Sequence, residues 1–139
     1  MYKRQEKTIV DRFARYEIVK QNEVRVEEYM TDDADIITVA YGATSRVVKS
    51  AVNQARKEGI KVGLIRPITV WPFPTDTIAR AAKKVDNMLV VEMSMGQMVE
   101  DVRLAANGQC NVSFFGRTGG IVPSPAEVLE QIKKIGGNH

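Results

Sequence analysis

From residue 36 onward the sequence repeats one unit: a short β-branched or apolar run, then a polar stretch whose apolar residues recur three and four apart. Residues 36–41, 62–66, 88–93 and 112–115 supply the runs, and a helical pattern follows each. Strands that alternate with amphipathic helices bury both elements by pairing in parallel, with helices packed on the faces of the sheet. Met88-Leu89-Val90-Val91 is apolar without alternation, which fits a strand covered on both sides. The expected fold is therefore α/β, a parallel sheet between two helical layers.

The helical stretches carry their own punctuation. Ala43, Val47, Val48, Ala51, Val52 and Ala55 are expected on one face, and Gly59 stands where that helix should end. Pro67, Pro72 and Pro74 make the next segment a rigid loop. Residues 75–85 read as a helix with Ile78, Ala81, Ala82 and Val85 inward, and residues 97–107 as one with Met98, Val102 and Ala105 inward. In the last helix Ser124 falls at the N-cap, Pro125 at the first helical position and Glu127 at the third. The Ser and Glu side chains can then satisfy each other's free backbone N–H groups. Val128, Leu129, Ile132 and Ile135 form its inner face, and Gly136-Gly137 end it.

Ahead of the repeat, residues 4–20 hold Ile9, Val10, Phe13, Tyr16 and Val19 in an amphipathic stripe. Val24 and Val26 alternate with charged residues in a candidate edge strand, and residues 31–35 are a polar link. The chain is accordingly divided into residues 1–33, a linker helix with that strand, and residues 34–139, the compact domain.

Charge separates the two parts. Residues 1–20 carry Lys3, Arg4, Lys7, Arg12, Arg15 and Lys20 against Glu6, Asp11 and Glu17, whereas residues 21–139 carry 14 basic and 14 acidic groups. A basic leader can touch nucleic acid or an acidic membrane surface. Here both signs are interspersed, the mark of a solvated or partner-covered helix, so neither partner is expected. No apolar run approaches the roughly 20 residues of a membrane span, and Met1 to Glu6 leads into charge rather than a signal core. The expectation is a cytoplasmic chain.

Cys110 is the only cysteine and His139, the last residue, the only histidine. One thiol cannot build a disulfide framework, a zinc site or an iron–sulfur cluster. Without a neighbouring base, Cys110 reads as a structural thiol rather than a nucleophile. No metal site and no catalytic residue is assigned.

Ligands and partners of an open α/β sheet meet the loops at the carboxyl ends of its strands. Gly42, Thr44 and Ser45 follow the first run, where free N–H groups and hydroxyls can hold an anion or simply cap the helix. No G-x-G-x-x-G follows that run and no Walker-type lysine motif occurs, which disfavours a dinucleotide or nucleoside triphosphate. Arg66 precedes a proline-stiffened loop displaying Trp71 and Phe73, aromatics suited either to the core or to an interface. Glu92 is open to three roles: general base, cap for the next helix, or ion-pair partner of Arg66 or Arg117. Met93, Gly96 and Gln97 complete the turn after it, and Met93, Met95 and Met98 suit core filling or a flexible contact.

Four stretches taken in order carry a resemblance. They are Ala40-Tyr41-Gly42, the run from Gly63 through Arg66-Pro67 to Trp71-Pro72-Phe73-Pro74, the run Val90-Val91-Glu92-Met93-Ser94-Met95-Gly96-Gln97-Met98, and Gly116-Arg117-Thr118-Gly119-Gly120. Over about residues 20 to 135 the chain resembles the C-terminal region of the alpha subunit of 2-oxoacid:ferredoxin oxidoreductases of the 2-oxoisovalerate and 2-oxoglutarate type. The resemblance implies a three-layer α/β/α fold like the transketolase C-terminal domain, with a mostly parallel five-stranded sheet. Its first strand, near Val24 to Tyr29, would be antiparallel, and the first and third parallel strands would be neighbours. Any ligand would then be sought between Gly42–Ser45 and Glu92–Gly96.

Such enzymes decarboxylate a 2-oxo acid on thiamine diphosphate and magnesium, pass electrons through iron–sulfur clusters to ferredoxin, and make an acyl-CoA. This chain has no Gly-Asp-Gly…Asn-Asn type diphosphate motif and no cluster cysteines, so the resemblance implies an assembly element, inactive alone and without its own cofactor. It would belong either to an excised piece or to an enzyme split among genes; residues 1–20, like a helix connecting two domains, favour the former. Other subunits are the expected partners, with ferredoxin reached indirectly and self-association open. The rival reading is a free-standing flavodoxin-like module that binds an anion or small ligand at Gly42–Ser45.

Overall fold

The apolar runs at Ile36–Val39, Val62–Pro67 and Asn87–Glu92 become strands whose side chains are covered on both faces, whereas the run at residues 112–115 forms a half-exposed edge strand. The computed structural model describes residues 9–15, 25–68, 73–93, 96–117 and 121–136. Residues 9–15 form helix α1. The remaining elements are β1 (Val26–Tyr29), β2 (Ile36–Val39), α2 (Gly42–Lys57), β3 (Val62–Pro67), α3 (Thr75–Ala82), β4 (Asn87–Glu92), α4 (Gln97–Ala106), β5 (Asn111–Gly116) and α5 (Pro125–Gly136). The five strands lie in the order β1-β3-β2-β4-β5; β1 is antiparallel to β3 and the other pairings are parallel. The antiparallel first strand and the β2–β4 neighbourhood are as expected.

Two cores flank the sheet. Ile37, Val39, Ile65, Met88 and Val90 meet Ile78 and Ala82 of α3 and Met98, Val99 and Val102 of α4. On the other side Ile36, Val62, Leu64, Leu89 and Val91 meet Val48, Ala51, Val52 and Ala55 of α2 and Val128 and Ile132 of α5. Every residue of β2 is buried. Each such Ile, Val or Leu contributes about 1.5–3 kcal/mol by leaving water, which makes these layers the main source of stability. The stripe on α1 is different: Ile9, Val10 and Phe13 are all exposed. No helix among the described residues is long and apolar enough to cross a membrane.

Helix phase departs from expectation at one end of α2. Ala43 is exposed, and Thr44 and Ser45 turn inward beside Val48, Ala51, Val52 and Ala55. Stepping back three and four residues from Val48 reaches Ser45 and Thr44, not Ala43. Gly59, at φ +87°, closes the same helix as expected. Val85 lies beyond the end of α3 yet is buried, so it serves the core from a turn.

An arginine fastens the short β1. Arg56, in the last turn of α2, donates from Nε to the Val62 carbonyl at 2.9 Å and from Nη2 to the Met30 carbonyl at 2.6 Å. Its guanidinium also meets both carboxylate oxygens of Asp33, at 2.8 and 3.1 Å. Arg56 thus ties the turn between β1 and β2 to the start of β3. That turn presses on Gly63: a Cβ there would lie 2.7 Å from the Met30 oxygen and 2.9 Å from the Thr31 Cα. Both are backbone atoms in a clamped turn, so neither can give way cheaply. Gly63→Ala is expected to cost about 1–3 kcal/mol, read as a lower urea midpoint at unchanged slope. An unshifted midpoint would mean that the turn is free to move.

Candidate functional site

The chain leaves the neighbouring strands β2 and β4 on opposite faces of the sheet. After β2, α2 packs on one face and leads to β3; after β4, α4 packs on the other and leads to β5. Parallel register, with Val39 beside Val90, sets Tyr41-Gly42 close to the end of β4. This is the topological switch point, where an open sheet of this class offers its crevice.

Glu92 sits there and is only 1% exposed. Its Oε1 accepts the N–H of Met98 at 2.6 Å, and its Oε2 that of Val99 at 3.2 Å. These are the second and third residues of α4, whose own N-cap is Gly96 at φ +108° and supplies no capping side chain. A buried carboxylate is tolerated because it meets two donors and the positive end of a helix. Of the three roles open to Glu92, the geometry shows the helix cap. Both arginines offered as its ion-pair partners hold other carboxylates. Arg66 binds Glu27 at 2.8 Å across the β1–β3 ladder, and Arg117 binds Glu127 at 2.5 Å.

Capping at α2 is not as expected. Tyr41 occupies the N-cap with no side-chain hydrogen bond, and Ser45 Oγ donates backwards to the Gly42 carbonyl at 2.6 Å. Thr44 and Ser45 are both buried, and neither side chain caps the helix. At α5 half of the expected capping box forms. The Glu127 N–H donates to Ser124 Oγ at 3.2 Å, while the Glu127 carboxylate takes Arg117 and the Ser124 hydroxyl. The Arg117 guanidinium holds the Glu127 carboxyl below its ordinary range, as Arg66 does for Glu27.

The other candidate residues spread along this end of the sheet. Phe73 is half-buried against the α3–α4 layer, and its carbonyl accepts the Thr75 N–H at 2.8 Å. Met93 is partly exposed just beyond Glu92. Gln97 opens α4, though its side chain, like all of Trp71, lies outside the described residues. A cavity of about 180 Å³ lies away from the switch, between the turn after β1 and α3, lined by Glu28, Asp32, Ile37, Arg80 and Lys84. Burial pushes the Cys110 thiol upward, away from thiolate chemistry. Among the described residues no three His, Cys, Asp or Glu side chains stand together as a metal site. Sequence reasoning missed Arg56 and the Arg117–Glu127 pair; a lone surface arginine carries no signal of its partner, although Glu127 was placed correctly.

Two outcomes follow from this geometry. Glu92→Gln keeps the shape but weakens two charge-assisted bonds, and should cost about 1.5–3 kcal/mol in urea denaturation. Unchanged stability would remove the capping role. The carboxyls of Glu27, Asp33 and Glu127 are all lowered by their arginines. Their stabilisation is therefore complete above the ordinary carboxylate range and is lost as pH falls through the lowered values. Urea midpoints measured from about pH 7 down to 3 should fall, and Arg117→Met should flatten part of that fall. An identical pH profile in the variant would exclude the Arg117–Glu127 share.

Comparison with known proteins agrees with this architecture. The sequence profile described as pyruvate:ferredoxin oxidoreductase core domain II matches residues 34–128. The ketoisovalerate oxidoreductase subunit VorB of Methanothermobacter thermautotrophicus is 49% identical over 124 residues, covering 89% of this chain and 35% of that protein. The 2-oxoglutarate synthase subunit KorA of Methanothermobacter marburgensis is 44% identical over 109 residues, covering 78% of this chain and 29% of its own length. The chain thus spans about a third of the curated relatives it matches. Among solved structures, the 2-oxoglutarate:ferredoxin oxidoreductase from Magnetococcus marinus superposes with a TM-score of 0.83 at 22% identity, over 94% of this chain and 23% of that one. A split-gene transketolase, an inactive beta4 tetramer, gives 0.66 at 15% identity over 79% of this chain and 40% of its own. Both structural likenesses speak to fold, and the fold is that of the transketolase C-terminal domain. On the profile match and these identities, the chain belongs to the pyruvate:ferredoxin oxidoreductase core domain II family.

Proposed function

We propose that this chain is an assembly element of a 2-oxoacid:ferredoxin oxidoreductase, inactive by itself. The whole enzyme would convert a 2-oxo acid to acyl-CoA and pass the electrons to ferredoxin. The observation that carries this reading is the 49% identity to a ketoisovalerate oxidoreductase subunit over 89% of the chain. The site geometry supports it, because Glu92, the carboxylate buried at the switch, caps a helix. One cysteine cannot supply the ligands of an iron–sulfur cluster, and the described residues hold no metal-binding group. Thiamine diphosphate, magnesium and clusters would therefore be held by other parts of the enzyme. Residues 34–139 would form the core unit, with residues 1–33 as its linker.

In this reading the loops after β3 and β4 meet other subunits: Arg66, Trp71 and Phe73 on one, Met93, Gly96 and Gln97 on the other, with Gly42 and Arg117 alongside. The rival, a free-standing anion-binding module at Gly42–Ser45, has less support, since the Ser45 hydroxyl is spent on the Gly42 carbonyl. Tagged chain should capture thiamine- and cluster-bearing subunits from anaerobic extract, with viologen reduction that needs a 2-oxo acid and coenzyme A. Capture of none of these would count against the assembly role. Trp71→Ala should weaken that capture more than it lowers the denaturation midpoint; equal losses would assign Trp71 to the fold.

A further inference from the structure

The two edges of the sheet are not alike. β1 has four residues, two of them Glu27 and Glu28, and charge with shortness is how natural sheets discourage unwanted pairing. β5 has six residues, Asn111-Val112-Ser113-Phe114-Phe115-Gly116, without charge, proline or a break in its register with β4. It lacks those protections, and Phe114 on it is 36% exposed.

The hydrogen bonds say which groups of β5 are available. The Asn111 N–H donates to the Asp86 carbonyl at 2.9 Å and the Arg117 N–H to the Glu92 carbonyl at 3.2 Å. Odd-numbered residues of β5 therefore point their backbone groups at β4. Strand alternation turns the N–H and C=O of Val112, Phe114 and Gly116 outward. Among the described residues no strand pairs with that side.

The outward set is symmetric about Phe114. An antiparallel strand of identical sequence, related by a two-fold axis through Phe114, would set Phe114 against Phe114, Val112 against Gly116 and Gly116 against Val112. All three are then hydrogen-bonded pairs, and every outward N–H and C=O finds a partner. Shifting the register to centre on Ser113 leaves Gly116 opposite Cys110, outside the strand. Opposed residues share a face of the sheet, so the centred register also stacks the two Phe114 rings beside each other on the α4 side. Neither strand brings a charge that the other would repel.

We propose that β5 is an interface with a second copy of this chain, the two sheets joining antiparallel across Phe114 into one continuous sheet. This goes beyond the subunit reading above and does not depend on it. Light scattering on the 139-residue chain across a wide concentration range should find a species of twice 15.5 kDa that dissociates on dilution. In the dimer the amides of Val112, Phe114 and Gly116 should exchange slowly and become fast on dilution, while those of Ser113 and Phe115 stay slow throughout. In a Cys110→Ser background, Phe114→Cys should oxidise to a covalent dimer, since facing residues of a hydrogen-bonded pair stand about 5.5 Å apart at Cα, within disulfide reach. A chain monomeric at every concentration, or a dimer whose Val112, Phe114 and Gly116 amides exchange as fast as in the monomer, overturns the proposal. Cross-linking through Ser113→Cys instead of Phe114→Cys overturns the register.

Discussion

The contact between Glu92 and the first turn of α4 sets the geometry of this sheet's business end. A carboxylate buried to this degree must be met by donors, and two backbone N–H groups meet it. They fix where α4 starts and hold it against β4, so that Val99 and Met98 enter the core beside Val90. Because α4 is pinned on one face and α2 on the other, the strands β2 and β4 part company at their carboxyl ends. A residue type often associated with proton transfer here caps the start of a helix.

Much of the fold was legible because burial leaves a periodic trace. Met88 to Val91 fits a strand covered twice, and Ser124-Pro125-Ala126-Glu127 signals a helix start; both stand where the pattern put them. The phase at the front of α2 was also there to be read. Val48, Ala51, Val52 and Ala55 determine which residues one turn earlier face inward, and they select Thr44 and Ser45. Ala43, the more hydrophobic residue, is turned to solvent by that phase. The small polar side chains are accepted inside because Ser45 satisfies itself on the preceding turn, at a carbonyl of its own helix.

The site was less legible than the fold. Sequence placed Arg66, Glu92 and Arg117 near one end of the sheet but could not pair them, since pairing depends on which side chains share a face. Arg66 and Glu27 are opposite one another only because β1 runs antiparallel in that register. Arg117 reaches Glu127 because the chain doubles back from β5 into α5. Arg56 shows the limit most clearly. Its four acceptor contacts join the turn after β1, through the Met30 carbonyl and the Asp33 carboxylate, to the start of β3, two places that no spacing rule connects.

The direction of β1 decides at which rim of the sheet its first residue lies. Val26 pairs with Pro67, and the Ile68 N–H donates to the Arg25 carbonyl at 2.9 Å, so the polypeptide enters the sheet at the carboxyl end of β3. A parallel first strand would have begun at the opposite rim, about 13 Å away for a strand of this length. The antiparallel strand therefore acts as a tether of fixed polarity. It brings Arg25, the residue ahead of β1, to the rim where β4 ends at Glu92 and α2 begins at Gly42, so the start of β1 and the switch point share one end of the sheet.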